Sequence, residues 1–279
     1  MIVDNLQNAT ISREEFEVLP YLDRRLYEET ARDRFASLDT NLDTNHPDFN
    51  LRLEVNTHLG DAVDSYVKQK IDYLERQDKI KVIELGASLG VISSLYAVDN
   101  LYKYGLADKL ELTFFDICIN PLVRTKKNDF DINSLYKNID FNIPIEKLKE
   151  LLQNATIIEG NIIETKQTDN FYTISLAPFT HHHLNIYDKR LACGELERIT
   201  AVKGAIIVGD LTFSYSNYTN WLKKHQTELN SQGTRVPYAV ESFVSLAQHL
   251  AFFSDSSLLS KQQHFQHYVF AMKKNLKKY

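Results

Sequence analysis

A short glycine-containing segment follows an apolar run and is the strongest candidate for a ligand site in this sequence. The run Val82–Leu85 continues into Gly86-Ala-Ser-Leu-Gly90, and helix-forming residues follow from about Ile92. Glycines let a loop turn tightly and bring its backbone close to a ligand, and the free N–H groups at the start of a helix attract a carboxylate or a phosphate. The segment therefore predicts a binding loop between a buried strand and a helix.

The spacing of the glycines separates the kinds of ligand. The phosphate loop of nucleotide hydrolases needs Gly-x-x-x-x-Gly-Lys-Ser/Thr, and no lysine follows Gly90. The dinucleotide fingerprint Gly-x-Gly-x-x-Gly requires glycine at two positions where this sequence has Ser88 and Val91. A nucleotide hydrolase is therefore excluded, and an NAD-dependent oxidoreductase on a related fold is disfavoured but kept as an alternative.

Two further motifs follow strand-like runs. Asp116 ends the alternating, aromatic-rich run Leu110–Phe115, and Glu159-Gly-Asn-Ile162 follows the apolar run Ala155–Ile158. In open α/β sheets ligands bind outside the carboxyl ends of the strands. We therefore expect both motifs to lie at the same edge as the glycine loop.

In this order the motifs resemble those of class I S-adenosylmethionine-dependent methyltransferases of the small-molecule type. The first motif of that family is an acidic residue, any residue, and then Gly-x-Gly-x-Gly; Glu84, Gly86 and Gly90 match it, and Ser88 replaces the middle glycine. The resemblance covers about residues 78–279. It implies S-adenosyl-L-methionine as co-substrate and a Rossmann-like, doubly wound, mostly parallel seven-stranded sheet with helices on both faces.

The resemblance also implies roles for individual residues. Glu84 would reach the methionine amino group through the loop or a water, and Asp116 would accept hydrogen bonds from both ribose hydroxyls. Apolar residues would form a shelf for the adenine ring, and Asn161 would bond its exocyclic amine. The implied cofactor-binding residues are Glu84, Gly86, Ser88, Gly90, Asp116, Ile117, Asn161, Ile162 and Ala177.

The segment after the predicted fourth strand, Leu176-Ala-Pro-Phe-Thr-His-His-His-Leu-Asn185, would face the transferable methyl group in that family. It departs from the Asn/Asp-Pro-Pro-Tyr/Phe signature of enzymes that methylate planar amino groups, because Leu176 and Ala177 stand at the first two positions. The side-chain carbonyl that would hold such an amine is missing. We therefore discount methylation of nucleobases and glutamine.

Three consecutive histidines, His181, His182 and His183, lie in this segment. Adjacent side chains cannot all point at one ion, and no accompanying His-x-x-x-His or paired carboxylate was found, so no metal site is predicted. Two interpretations stay open. The histidines cap the next helix or pack under the cofactor, or one of them, with an ordinary pKa near ~6.5, is the general base that takes a proton from the acceptor.

The elements that must position these residues alternate between strand and helix from residue 80 onward. Such alternation indicates a parallel sheet with helices on its faces. Before it, an apolar stripe from Leu59 to Leu74 predicts a helix reaching Arg76. We predict two units, an N-terminal helical cap or lid at 1–77 and a catalytic domain at 78–279. The predicted strands are 81–85, 110–115, 155–158, 171–176, 205–208 and 268–272, and the predicted helices are 14–37, 59–76, 92–104, 145–153, 218–229 and 239–253.

Composition limits the function classes. The 279 residues carry a net charge of −5, which argues against a nucleic-acid binder because phosphate neutralisation needs a basic face. No signal peptide or membrane-spanning run is evident, so a cytoplasmic location without membrane association is expected. Two cysteines in no zinc-ligand spacing, Cys118 and Cys193, are expected to be reduced and buried.

The sequence therefore predicts a biosynthetic enzyme that methylates a hydroxyl, amine or activated carbon of a small, natural-product-like acceptor. A non-catalytic S-adenosylmethionine-binding protein is the other alternative. A homodimer formed through the N-terminal helices is left open.

Overall fold

A computed structural model describes residues 49–87, 91–117, 119, 122–123, 139–184, 186–212, 244–264 and 266–275 of the chain. Its helices are α1 (Phe49–Glu75), α2 (Val91–Lys103), α3 (Ile145–Asn154), α4 (Ile186–Ile199) and the short α5 (Leu246–Leu250). Its strands are β1 (Ile80–Leu85), β2 (Leu110–Asp116), β3 (Thr156–Glu159), β4 (Tyr172–Pro178), β5 (Thr200–Leu211), β6 (Ser256–Gln263) and β7 (His267–Lys274).

The seven strands form one mixed sheet in the order β3-β2-β1-β4-β5-β7-β6. The five strands β1 to β5 pair in parallel, and β7 runs antiparallel to both β5 and β6. The chain winds outward from β1 to β3 and then returns to place β4 beside β1. In doubly wound sheets ligands bind in a crevice at such a reversal, so a ligand crevice is expected between the loops after β1 and β4. The predicted fold class is confirmed.

Both faces of the sheet are covered. On one face, α1, α2 and α3 share an apolar core with the sheet, and on the other α4 and α5 do so. The central strands read as nearly continuous apolar runs because they are buried from both sides. In β4, for example, all seven residues from Tyr172 to Pro178 are buried.

Helix α1 lies along β5, from near the end of that strand to near its start. The predicted apolar stripe is confirmed, since Leu59, Tyr66 and Leu74 are fully buried, but the helix begins ten residues earlier than its stripe. The Tyr66 hydroxyl donates to the Lys203 carbonyl near the start of β5 (3.1 Å), and a Cβ at Gly209 near the end of β5 would lie 3.0 Å from Val55. The division into a cap and a catalytic domain stays a prediction, because residues 1–48 lie outside the described residues.

The predicted helix at 239–253 differs from the structure. Its described part is helical only over α5, which begins with a capping box between Ser245 and Gln248. Strand β6 follows and was not predicted, because its sequence Ser-Ser-Leu-Leu-Ser-Lys-Gln-Gln lacks the β-branched and aromatic residues typical of strands. The predicted helices at 14–37 and 218–229 lie outside the described residues. Within the described ranges, no helix is long and apolar enough to cross a membrane.

Candidate functional site

The loop after β1 is held in a conformation that only glycine adopts easily. Gly86 has φ +70°, in the left-handed region, and the N–H groups of Gly86 and Ala87 donate to the Phe115 carbonyl of β2 (2.8 and 3.2 Å). A Cβ at Gly86 would lie 2.3 Å from the Thr180 side chain in the loop after β4. Glycine is therefore required here both by the backbone turn and by the neighbouring loop.

Thr180 joins the two loops that border the crevice. Its hydroxyl lies 3.1 Å from the Leu85 carbonyl and 2.7 Å from the Pro178 carbonyl. Between Pro178 and Thr180, Phe179 has φ +49°, which is uncommon for a residue with a side chain, and its N–H donates to the Gly209 carbonyl of β5 (2.7 Å). The loops after β1, β4 and β5 are thus tied together by specific contacts.

Glu84 is an acid buried at the carboxyl end of β1. One carboxylate oxygen, Oε2, accepts a hydrogen bond from the Ser94 hydroxyl of α2, whereas Oε1 has no hydrogen-bond partner among the described residues. Burial raises the pKa of Glu84 well above its ordinary value, and the nearby Asp116 carboxylate raises it further. A cationic ligand group beside Glu84 would offset this effect and favour the ionised carboxylate.

The ends of β2 and β3 complete this side of the crevice. Asp116 is buried, and its carbonyl accepts from the Gly160 N–H (2.9 Å). A Cβ at Gly160 would lie 2.6 Å from the Phe115 ring, so the glycine allows the loop after β3 to pack closely on β2. The Asn161 side chain accepts from the Ile163 N–H (3.2 Å), which fixes the loop locally.

The structure brings the described members of the predicted cofactor set to the carboxyl edge of the sheet. Ile162 is buried and Ile117 is half-buried, while Ala177 is fully buried inside β4 opposite Val208. Ser88 and Gly90 lie outside the described residues. Whether these residues bind a cofactor stays a prediction at this point.

The three consecutive histidines form a single 3₁₀ turn and diverge. His181 points into the core, where its Nδ1 lies 2.6 Å from His249 Nε2, and His249 Nδ1 lies 2.6 Å from the Tyr268 hydroxyl of β7. Burial lowers the pKa of His181 to about 4 and lowers that of His249 as well. These two rings are therefore neutral members of a buried hydrogen-bond chain.

His182 makes a different contact. Its Nδ1 lies 2.6 Å from Oδ1 of Asp210, a buried residue at the end of β5 that also accepts from the Leu211 N–H (3.0 Å). Burial raises the pKa of Asp210 to about 6. A carboxylate at Nδ1 orients the ring and places the proton on that nitrogen, so that Nε2 carries the basic lone pair. The half-buried His183 ring lies 4.0 Å from the His182 ring.

The sequence analysis did not identify two buried residues near these side chains: His249, which contacts His181, and Lys189, whose charge acts on Asp210. Lys189 is fully buried on α4, where its ammonium donates to the Leu184 carbonyl, and its positive charge opposes the raised pKa of Asp210. A sequence signal for the burial of Lys189 was present, because Lys189 stands four residues before Cys193 and seven before Leu196, on the buried side of α4.

Cys193 is a buried free thiol, as predicted, whereas Cys118 lies outside the described residues.

The strand order, the crevice at the β1/β4 reversal and the antiparallel β7 define the class I methyltransferase fold, and comparison with solved structures supports this. N-methyltransferase NodS from Bradyrhizobium japonicum, solved with S-adenosyl-L-homocysteine, matches with TM-score 0.51 and 9% identity over 89% of this chain and 98% of its own. Geranyl diphosphate C-methyltransferase from Streptomyces coelicolor, solved with Mg²⁺, geranyl diphosphate and S-adenosyl-L-homocysteine, matches with TM-score 0.50 and 10% identity over 89% and 98%.

A third structure with the fold, described as a possible exported protein from Bordetella parapertussis, matches with TM-score 0.51 and 11% identity over 80% of this chain and 68% of its own. No protein-family model and no curated protein matches the sequence. The family resemblance seen in the sequence is thus confirmed at the level of the fold.

Proposed function

We propose that this protein is an S-adenosylmethionine-dependent methyltransferase that acts on a small-molecule acceptor. The observation that carries the proposal is the buried Glu84 carboxylate, whose Oε1 has no hydrogen-bond partner among the described residues and which lies near the Asp116 carboxylate at the crevice. Two buried acids at this position fit a ligand that carries both a positive charge and hydroxyl groups. S-adenosylmethionine has an ammonium group, a sulfonium and two ribose hydroxyls.

The residues of the first three strand ends would hold this co-substrate. In the proposed arrangement, Glu84 interacts with the methionine amino group through the loop or a water, and Asp116 accepts from the ribose hydroxyls. Asn161 would bond the adenine amine, while Ile117 and Ile162 would lie against the ring. The loop amides from Gly86 to Gly90, and the end of β4 at Ala177, would follow the amino-acid part of the ligand.

S-adenosylmethionine supplies an electrophilic methyl group, so the residues of this chain have to align the acceptor, exclude water and remove a proton. Of the three histidines predicted as bases, we assign that role to His182. Asp210 holds its ring through Nδ1 and favours a proton on that nitrogen, so Nε2 would be the basic atom of the ring. His181 is less suited, because burial lowers its pKa to about 4 and its Nδ1 is engaged with His249.

The acceptor itself is proposed only by class. The net charge of −5 disfavours nucleic acid, and the fold is shared with an N-methyltransferase and with a geranyl diphosphate C-methyltransferase. A hydroxyl, amine or activated carbon of a small biosynthetic intermediate is consistent with a histidine base. Because the co-substrate is an intracellular metabolite, we place the reaction in the cytoplasm.

Calorimetric titration tests the cofactor half of the proposal. Tag-free protein is titrated with S-adenosylmethionine, S-adenosylhomocysteine and NAD, and we expect micromolar binding of the two adenosyl ligands and none of NAD. The Glu84→Gln/Asp116→Asn double variant should lose the binding, while Asp108→Asn, which changes a highly exposed acid just before β2, should retain it. Binding of NAD alone would replace the proposal with an oxidoreductase.

A turnover assay tests the catalytic half. The protein and S-adenosylmethionine are incubated with panels of phenols, alcohols, amines and β-dicarbonyl carbon acids, and formation of S-adenosylhomocysteine is measured. Acceptor-dependent product is expected for one class. Tight adenosyl binding together with a crystal structure in which the crevice is sealed beyond the sulfonium would instead indicate a non-catalytic binding protein.

A further inference from the structure

A second group of histidines lies away from the 3₁₀ turn, where α1 meets the β6–β7 turn. We call Glu54, His58, His264 and His267 the helix–hairpin cluster. Glu54 and His58 are four residues apart on α1 and therefore project from the same side of the helix. The His264 N–H donates to the His267 carbonyl (2.8 Å) and closes the turn between the two strands.

The side chains of the helix–hairpin cluster converge. His264 Nδ1 lies 3.2 Å from Glu54 Oε1, and His267 Nε2 lies 3.3 Å from His58 Nδ1. One ligand atom from each of the four residues lies within 4.8 Å of all the others. The ring centroids of His58, His264 and His267 are 4.5, 4.7 and 5.5 Å apart.

These separations match those of ligands around one metal ion. Zinc bonds nitrogen and oxygen at about 2.0–2.2 Å, so two ligand atoms of a tetrahedral site are about 3.4 Å apart. The same bond lengths put the centroids of two coordinating imidazoles about 4.5–5.2 Å apart for angles between 90° and the tetrahedral angle. The separation of the His58 and His267 rings, 5.5 Å, lies slightly outside this range, so coordination requires a small movement of the half-buried His58 ring. The side chains of Glu54 and His264 are 46% and 43% exposed, which leaves them room to adjust to the ion.

The donor set also suits a particular class of ion. Three imidazoles and one carboxylate favour zinc or a neighbouring divalent transition metal over Mg²⁺ or Ca²⁺, which prefer oxygen ligands.

We propose that the helix–hairpin cluster binds one divalent transition-metal ion of the zinc class and that the ion fastens α1 to the β6–β7 turn. His267 pairs with Leu211 of β5, one residue beyond Asp210, so the ion would sit at the same edge of the sheet as the proposed acceptor site. All four ligand positions are filled by protein groups, as in structural zinc sites. This inference does not depend on the proposed methyl transfer.

The other convergent group, His181, Cys193 and His249, is less suited to an ion. The nitrogen atoms of His181 and His249 are 2.6 Å apart, which is a hydrogen-bond distance and shorter than the separation of two ligands on one ion. Cys193 Sγ lies 4.0 Å from His181 Nδ1, and burial raises the pKa of its thiol, which disfavours the thiolate that a metal needs.

Titration with Co²⁺, a spectroscopic substitute for Zn²⁺, tests the proposal. Tag-free full-length protein is treated with a chelator, titrated with Co²⁺ and followed by visible absorption, and Zn²⁺ is then added. We expect one Co²⁺ per chain with an affinity of about 10 μM or tighter, d–d bands without a thiolate charge-transfer band, and displacement by Zn²⁺. The thermal midpoint should rise on addition of Zn²⁺.

Variants locate the ion. His264→Ala removes an exposed ring and His58→Ala a partly buried one. Each should weaken binding at least about 100-fold and abolish the thermal shift, because one of the four proposed ligands is lost. Gln263→Ala, beside His264 and exposed, and Cys193→Ser should bind as the wild type does. The proposal is overturned by absence of binding, by equal binding in both histidine variants, or by a thiolate band that disappears in Cys193→Ser.

Discussion

The buried acids Asp210 and Glu84 lie on the two sides of the proposed site, and their surroundings differ. On the proposed acceptor side, Asp210 has the His182 ring at 2.6 Å and the positive charge of Lys189 nearby. On the proposed cofactor side, one carboxylate oxygen of Glu84 accepts a hydrogen bond from Ser94, and the other has no hydrogen-bond partner among the described residues. The negative charge of Asp116 also repels an ionised Glu84.

Asp210 has a hydrogen-bond partner in the free protein, whereas Oε1 of Glu84 would gain one when a ligand binds. A buried carboxylate costs free energy, and the His182 ring offsets part of this cost at Asp210, whereas Oε1 of Glu84 has no hydrogen-bond partner among the described residues. A cationic ligand group beside Oε1 of Glu84 would supply the partner that this oxygen lacks among the described residues. Four predictions examine this contrast.

The largest effect is expected on turnover. His182→Gln removes the proposed base while keeping a polar side chain, and we expect kcat to fall about 10²–10⁴-fold because general-base catalysis contributes that much. Binding of S-adenosylhomocysteine should change less than twofold. His183→Gln, on the neighbouring and more exposed ring, should lower kcat by less than tenfold; a larger loss for His183 than for His182 would reassign the base.

The next effect concerns the stability of the acceptor side. Asp210→Ala leaves the buried His182 N–H without its acceptor, and we expect a loss of about 1–3 kcal/mol in the free energy of unfolding. Urea denaturation followed by circular dichroism measures it. Asp108→Ala, in an exposed acid, should cost less than about 0.5 kcal/mol. Equal stability of the two variants would mean that Asp210 is not compensated by its neighbours.

On the cofactor side the corresponding change should affect binding instead. Asp116→Ala is expected to weaken S-adenosylhomocysteine binding by tenfold or more, about 1.4 kcal/mol, because the ribose hydroxyls lose their acceptor. The same variant should destabilise the free protein by less than Asp210→Ala does. Titration calorimetry and urea denaturation on one preparation give both numbers, and unchanged affinity would remove Asp116 from the site.

The smallest effect is a pH dependence. Because burial raises the pKa of Glu84 above its unfolded value, the folded protein holds a proton that the unfolded chain releases, and stability is lost as pH rises from about 4.5 through the folded pKa. Glu84→Gln has no such proton. Its free energy of unfolding relative to the wild type should therefore increase with pH by up to about 1.4 kcal/mol per unit within that window.

Urea denaturation at several pH values, without ligand, measures this slope. Ser94→Ala is a useful second variant, because removal of the hydroxyl that donates to Glu84 should raise its folded pKa and extend the window to higher pH. Parallel pH profiles for the wild type and Glu84→Gln would show that Glu84 is not held protonated by the fold.

Much of the fold could be predicted from the sequence because its strands are buried on both faces. A continuous apolar run such as Ala205–Val208 indicates a strand that is buried on both faces, and the strand–helix alternation then limits the topology. Strand β6 was not predicted because its sequence is largely polar. It is an edge strand that lies next to β7 in the strand order. Its position depends on hydrogen bonds to β7 rather than on a pattern of its own.

The sequence predicted those residues of the candidate site that lie at or near the ends of strands. Glu84 and Asp116 were assigned because they match motifs of the methyltransferase family at or near the ends of two predicted strands. The partners of the histidines could not be assigned in this way, since His249 lies 68 residues from His181 and Asp210 lies 28 residues from His182. The helix–hairpin cluster was missed for the same reason, since His58 and His267 are 209 residues apart in the sequence.

The contact between Gly86 and Thr180 has a consequence for the natural variation of this protein. A Cβ at position 86 would lie 2.3 Å from the Thr180 side chain, and Thr180 in turn is held by carbonyls on both sides of the crevice. The two positions therefore cannot mutate independently. Among orthologues that keep this geometry, a residue other than glycine at 86 is expected only together with a smaller residue at 180, so the pair should co-vary although 93 residues lie between them in the sequence.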